Sequence, residues 1–170
     1  MKLLLPATVF GALAFGSFSL DLRWNASPSM PIGLWRVTTL HRIERGQAVA
    51  VCLPEAAARL GVARGYLDAG DCPGHAEVLI KTLAAIPGDQ VVVSDSGTAI
   101  NGDLIPNSRP LAQDDAGRPL TANAGTFIVG EGQAWIVSSH DARSYDSRYA
   151  GPVRLTDIRG IATPVLVATK

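Results

Sequence analysis

The sequence predicts a mainly β domain of antiparallel strands, with one short helical insertion and an apolar helix at the N-terminus. Gly (17) and Pro (11) are plentiful, whereas aromatic residues make up only 6% of the chain, a composition that favours a turn-rich β domain over a helical bundle. Short apolar runs also recur between turn signals along the chain. A length of 170 residues supports one domain with its own hydrophobic core.

The N-terminal segment carries one cation, Lys2, and no further charge before Asp21. The uncharged run of about 18 residues is at the lower end of the length that spans a bilayer as a helix. We predict a retained membrane anchor over residues 1–22; the alternative is a cleavable signal peptide with Ala12–Ala14 as its small-residue site. Both interpretations place the domain of residues 23–170 outside the cytoplasm.

Apolar, β-prone runs follow and are predicted to be strands. They are residues 33–38, 47–53, 77–86, 90–95, 98–102, 126–130, 133–139 and 160–169. The Ser-Gly and Asn-Gly pairs within residues 94–102 predict tight hairpin turns, since these residues adopt the positive φ angles that such turns need. Residues 106–124 are polar and rich in Pro and Gly, which indicates a long loop excursion rather than a second domain.

Cys52 and Cys72 bracket a stretch that breaks the β pattern. Its middle is typical of a short amphipathic helix, so we predict a helical insertion over residues 54–70. In an oxidising compartment the two cysteines are expected to form a disulfide, which stabilises the fold by ~3 kcal/mol in the chain-entropy model. The alternative is a metal site that also uses His75, but no fourth ligand has suitable spacing, and we predict no metal.

The charges argue against a nucleic-acid partner. The 15 Lys and Arg residues balance the 15 Asp and Glu residues, so the formal net charge is zero. The charged residues are also scattered, so the chain has no extended field that would attract nucleic acid.

Ser29 lies in the segment "SPSMP", next to Pro28 and one residue before the Met30–Pro31 pair. Each proline has a fixed φ and restricts the residue before it, so Ser29 is held rigidly. A serine that is held in one position suits the role of a nucleophile or an oxyanion donor, although Ser-Pro runs are also typical of turns. A catalytic serine needs a base, and one alternative is a triad with His140, the histidine that has carboxylates nearby.

Lys81 interrupts an otherwise apolar predicted strand, with Leu79, Leu83 and Ala85 on the same face. A lone lysine in a strand usually faces solvent or lies at a sheet edge. If Lys81 is buried instead, desolvation disfavours its charged form. A fall in its pKa from about 10.4 to about 8 would leave enough neutral amine for general-base catalysis.

A third cluster of polar residues occupies positions 138–153, with the alternating residues Ser144, Asp146 and Arg148. In an extended chain these three side chains would share one face and could bracket a site.

Three segments together resemble the signal peptidase superfamily of membrane-anchored Ser/Lys proteases. They are "SPSMPIGLWR" (27–36), "LIKTLAAIPGD" (79–89) and "SHDARSYDSRYAGPV" (139–153), which are similar to the family's serine, lysine and Asp-Ser-Arg boxes. Their order, and an apolar segment before the first box, also match. The resemblance is closest to the conjugative-transfer branch, the TraF-type peptidases that mature pilin subunits. Departures from ordinary signal peptidases, such as Pro31 directly after Met30 and the missing Arg after Lys81, favour this branch.

The resemblance implies the signal peptidase fold and a role for each matching residue. Ser29 matches the nucleophile and Lys81 the general base. The hydroxyl of Ser27 would join the Ser29 N–H in stabilising the oxyanion. Ser144 would orient the lysine, and the site would be supported by Asp146 and Arg148.

The expected reaction is acyl transfer without a cofactor or metal. The substrate would add as a strand beside Val78, Leu79 and Ile80, with shallow pockets for small residues of the Ala-x-Ala type. His140 would then be dispensable. Whether the acyl-enzyme reacts with water, or with an amine to give a circular product, is left open by the sequence.

The expected function is processing of exported precursors, above all the pilin subunit of a conjugative transfer system. The enzyme would be anchored in the inner membrane with its catalytic domain in the periplasm, in contact with the membrane and other transfer-system components. Two alternatives are a general type I signal peptidase and a catalytically silent envelope scaffold of the same fold.

Overall fold

The mainly β prediction is confirmed by the computed structural model, which describes residues 21–168. In chain order the elements are β1 (Leu22–Asn25), β2 (Gly33–Thr38), β3 (Ala48–Val51), α1 (Glu55–Ala63), β4 (Ala69–Cys72), β5 (Leu79–Ala85), β6 (Gln90–Ser94), β7 (Gly97–Ile100), β8 (Asp103–Leu104), β9 (Gly125–Ile128), β10 (Gln133–Ile136), α2 (Ser147–Ala150), β11 (Val153–Arg154) and β12 (Ile158–Val167). All pairings within the two sheets are antiparallel. Short strands such as β1, β8 and β11 lie outside the predicted runs because they have little apolar sequence of their own.

The larger sheet has seven strands in the order β1-β2-β12-β3-β5-β10-β11. β5 therefore lies inside the sheet, where it pairs with β3 on one side and β10 on the other. Lys81 is opposite Val49 of β3 and is only 4% exposed. The interpretation of this lysine as solvent-facing, or as part of an outermost strand, is therefore wrong, although β10 pairs with β5 only from Leu83 onward.

The smaller sheet has the order β8-β7-β6-β9, and both predicted hairpin turns are confirmed in it. Ser94 pairs with Gly97 across the first turn. Asn101 (φ 52°) and Gly102 (φ 92°) form the second turn, between β7 and β8. Positive φ angles at both central residues are the geometry that an Asn-Gly pair favours. A buried cluster joins this sheet to the larger one; it includes Val91, Val93, Ile100 and Trp135.

The predicted disulfide between Cys52 and Cys72 is confirmed, with the two Cα atoms 5.6 Å apart. It closes the insertion that contains α1, and the buried Ala58 of this helix belongs to the main core. The bond uses both sulfurs, so the alternative of a metal site at these cysteines is wrong.

Removal of this disulfide is expected to destabilise the domain. We predict that the double variant Cys52→Ser/Cys72→Ser lowers the free energy of unfolding by ~3 kcal/mol, because the unfolded chain regains the freedom of the closed loop. Urea unfolding of the variant and of the wild type would measure the difference. Reduced wild-type protein should match the variant, and equal stability of the variant and the oxidised wild type would contradict the prediction.

The predicted anchor over residues 1–22 falls almost entirely outside the described residues, and the predicted boundary at residue 22 falls within β1. Among residues 21–168, no helix combines the length and apolar character needed to cross a bilayer. The predicted excursion over residues 106–124 links β8 to β9, and it contacts the insertion through Asp114, which accepts a hydrogen bond from Tyr66.

Candidate active site

Ser29 lies on the loop of residues 26–32 that joins β1 to β2, and it is 1% exposed. The side-chain amide nitrogen of Asn25, at the end of β1, is within hydrogen-bond distance of three backbone carbonyls of this loop and donates to them through its two N–H groups. These carbonyls belong to Ser27, Met30 and Pro31, at 2.9, 3.1 and 3.1 Å. The loop is therefore held by a buried amide as well as by its prolines. Sequence reasoning missed Asn25, although Asn just before a Ser-Pro run is a known turn signal.

Lys81 extends from β5 to the Ser29 hydroxyl. Its Nζ lies 2.5 Å from Ser29 Oγ and 3.0 Å from Ser144 Oγ. Burial lowers the pKa of Lys81 from 10.5 to about 8, while the negative charge of Asp146 opposes this shift and the positive charge of Arg148 adds to it. About a tenth of the lysine is therefore neutral at pH 7, and the neutral amine can accept a proton.

Ser144, Asp146 and Arg148 do meet in one region, but not as an extended strand. Asp146 caps the N-terminus of α2 by accepting from the backbone N–H of Arg148. The extended-face prediction is wrong because this cap turns the chain into a helix. The Asp146 carboxylate accepts from Nε and Nη2 of Arg148, both at 2.9 Å, and both side chains are fully buried. Arg148 Nη2 also donates to the backbone carbonyl of Ser144 at 2.9 Å.

Ser27 is adjacent to the Ser29 hydroxyl and to the Ser29 backbone N–H. The two Oγ atoms are 2.8 Å apart, and the Ser29 N–H donates to Ser27 Oγ at 3.4 Å. A hydroxyl and an N–H therefore lie side by side next to the serine. This is the type of donor pair that stabilises an oxyanion in acyl transfer.

Ser138 is a second residue that sequence reasoning missed. Its hydroxyl donates to the backbone carbonyl of Ser29 at 2.5 Å, across 109 positions of sequence. The backbone N–H of His140 donates to Ser138 Oγ at 3.1 Å. No local pattern could have identified this contact, since it exists only once the two segments are packed together.

A groove of about 720 Å³ runs along β1, the Ser29 loop and the start of β5, and Val78, Leu79 and Ile80 line it. A second cavity of about 400 Å³ adjoins it at Ser27 and Lys81. On one side of β5, residues 79–82 pair with β3. On the other side, the described contacts with β10 and with Val137, which follows β10, begin at Thr82. Among the described residues, no strand pairs with this second side of β5 before Thr82.

The site brings a serine hydroxyl next to a buried lysine amine on a mainly β domain, and these are groups that can carry out acyl transfer. The chain belongs to the signal peptidase family, peptidase S26, whose family model matches residues 1–167. The family resemblance seen in the sequence is thereby confirmed.

Several relatives are transfer proteins. The plasmid transfer protein TraF of Escherichia coli is 35% identical over 160 residues, which cover 91% of this chain and 87% of that protein. The conjugal transfer protein TraF of Agrobacterium fabrum (strain C58 / ATCC 33970) is 40% identical over 161 residues, covering 94% and 86%. A solved structure of a signal peptidase I from Enterococcus faecalis V583 matches with a TM-score of 0.41 and 19% identity, over 72% of this chain and 98% of that one.

Proposed function

We propose that this chain is an envelope endopeptidase in which Ser29 and Lys81 form the catalytic dyad. The observation that carries the proposal is the 2.5 Å distance between Lys81 Nζ and Ser29 Oγ, at a lysine whose pKa burial lowers to about 8. This geometry makes Lys81 the candidate base in place of His140. It also argues against a silent scaffold, which has no need of a buried amine beside a serine.

The reaction would proceed by acyl transfer. The neutral amine of Lys81 takes the proton of Ser29 as Oγ bonds to the carbonyl carbon of the substrate. Negative charge then develops on the substrate oxygen, where the Ser29 N–H and the Ser27 hydroxyl donate to it. The Lys81 ammonium returns the proton to the leaving amine as the C–N bond breaks. Water or another amine then attacks the Ser29 ester and gives its proton to the neutral Lys81. Lys81 passes a proton to Ser29 Oγ as the ester bond breaks and the acyl group leaves.

The lysine would be held by the polar residues behind it. Ser144 would orient Nζ through its hydroxyl, and the buried Asp146–Arg148 pair would support Ser144 through the bond from Arg148 Nη2. A buried ion pair adds little stability over apolar residues of the same shape. Its presence at this position is better explained by orientation of the dyad.

The substrate would bind in the groove as a strand added to the edge of β5. Val78, Leu79 and Ile80 would supply backbone partners and walls, because they line the groove directly before Lys81. Main-chain bonds of this kind bind extended peptides whatever their sequence, and the pockets select the side chains. We propose that these pockets select small substrate residues in the pattern Ala-x-Ala.

The proposed substrate is the pilin precursor of a conjugative transfer system. The TraF relatives support this context because they match most of the chain. The chain would be anchored in the inner membrane by residues 1–22, with its peptidase domain in the periplasm. The Cys52–Cys72 disulfide supports this location, since such bonds persist in oxidising compartments.

Intact-mass analysis of the pilin precursor of the same transfer system, with and without the full-length enzyme, would test the function. We expect cleavage of this precursor and none of an unrelated exported precursor. Cleavage of both would indicate a general signal peptidase, and cleavage of neither by folded enzyme would indicate a scaffold. A product lighter than the linear cleaved form by one water would show cyclisation, and the linear mass would show hydrolysis.

A further inference from the structure

Ser138 connects the Ser29 loop to the segment that supports Lys81. Its hydroxyl donates to the backbone carbonyl of Ser29, and its oxygen accepts from the backbone N–H groups of His140 and Asp141 at 3.1 and 3.3 Å. Ser138 is 0% exposed, so water cannot replace these bonds. A buried polar group that loses its partner destabilises the fold, because no bond to water replaces the lost hydrogen bond.

A series of hydrogen bonds leads from Ser138 to the lysine. The backbone N–H of Ser138 donates to Asp146 Oδ2 at 3.1 Å, and the same oxygen accepts from Arg148 Nη2. Arg148 Nη2 also donates to the Ser144 carbonyl. The Ser144 hydroxyl in turn lies 3.0 Å from Lys81 Nζ. The Asp146–Arg148 pair therefore touches both Ser138 and the residue that contacts the lysine.

Ser29 closes this series into a ring, because its hydroxyl meets Lys81 and its carbonyl meets Ser138. Asn25 holds carbonyls on both sides of Ser29 in the loop. Ser138 holds the carbonyl of Ser29 itself. The bond from Ser138 fixes the peptide unit that follows Ser29, and with it the orientation of the residue.

We propose that Ser138 is a positioning residue that sets the directions of the Ser29 hydroxyl and backbone N–H. This proposal rests on the proposed dyad. Catalytic geometry tolerates little error, since a misplacement of about 1 Å can lower the rate about 10²-fold. Loss of the Ser138 hydroxyl would therefore reduce the rate of the chemical step, while the groove along β5 would still bind the peptide.

The variant Ser138→Ala in the full-length protein tests this role. The probe is a quenched fluorescent peptide with Ala at the first and third positions before the scissile bond. We expect kcat to fall by about ten- to a hundredfold, with KM within about twofold of wild type. The pH midpoint of kcat/KM should not move, because the pKa of Lys81 is set by burial and by Asp146 and Arg148. A kcat within twofold of wild type would overturn the proposal.

Ser139→Ala is the matched control, since Ser139 is the adjacent, half-buried serine; an equal loss of kcat in this variant would also overturn the proposal. A shifted pH midpoint of kcat/KM in Ser138→Ala would also overturn the proposal, because it would show that the variant disturbs the charges around Lys81. Failure of the proposed dyad would give a different result from failure of the Ser138 proposal, because Ser29→Ala would then still cleave the peptide. If Ser138→Ala does not fold by circular dichroism, Ser138→Cys replaces it. Its thiol is a weak donor, so an intermediate kcat is expected, and a wild-type kcat would contradict the role.

Discussion

Ser29→Ala is expected to abolish precursor cleavage, with kcat/KM lower by a factor on the order of 10⁴ to 10⁶. The variant removes the proposed nucleophile and leaves no atom that can form the acyl-enzyme. The fold should persist, because Asn25 and Ser138 hold the loop through its backbone carbonyls, which alanine retains. Cleavage is measured on the precursor by gel and by mass spectrometry, and folding by thermal unfolding.

Ser96→Ala is a suitable control for Ser29→Ala, since it deletes an exposed hydroxyl from the turn between β6 and β7. It should cleave at the wild-type rate. Cleavage by Ser29→Ala close to that rate would contradict the assignment of the nucleophile. Loss of cleavage together with loss of folding would show that the serine is needed for structure, and the mechanism would then lose its support.

Lys81→Met is expected to lower kcat/KM by a factor on the order of 10² to 10⁴, the contribution typical of a general base. Methionine has no group that can accept the Ser29 proton. The wild-type rate should rise with pH through about 8, because the active form of Lys81 is the neutral amine and burial lowers its pKa to that value. The remaining activity of Lys81→Met should lack this rise.

Lys81→Arg provides the matched control for charge, because a guanidinium keeps the positive charge and does not deprotonate in proteins. It should be as inactive as Lys81→Met. Unfolding experiments at pH 7 should show Lys81→Met to be more stable than wild type, since methionine removes a buried charge. A pH midpoint near 8 that survives in Lys81→Met would point to a base other than Lys81.

The two serines of the loop have separate tasks in this scheme, although the sequence places them in the same Pro-rich turn. Ser29 lies at hydrogen-bond distance from Lys81, which suits attack on the substrate. Ser27 accepts from the Ser29 N–H, which places both groups where an oxyanion can displace the contact between them. The prolines restrict this loop, but Asn25 and Ser138 set its position in the fold.

Much of the site can be predicted from local sequence because it depends on short motifs. Ser29, Lys81 and the disulfide partners each lie in segments whose residue types limit the possible chemistry. Strand β2 and the two hairpin turns also follow from local rules, since apolar β-prone runs and Asn-Gly pairs act over only a few residues. The alternation of residues 144–148 predicts an extended segment, and this prediction is wrong because the Asp146 cap depends on the buried contact with Arg148.

Local sequence was enough to predict the mainly β class, the disulfide between Cys52 and Cys72, and Ser29 and Lys81 as candidate site residues, but it did not reveal Asn25 or Ser138. The packing of distant segments buries Lys81 in the larger sheet, with Nζ 2.5 Å from the hydroxyl of a serine 52 positions earlier. It also brings the Ser138 hydroxyl to the backbone carbonyl of Ser29. The physical reason is that local patterns express conformational preference and polarity. Desolvation and hydrogen bonding between distant segments depend instead on which strands pack together, and these long-range contacts set the pKa of the lysine and the orientation of the serine.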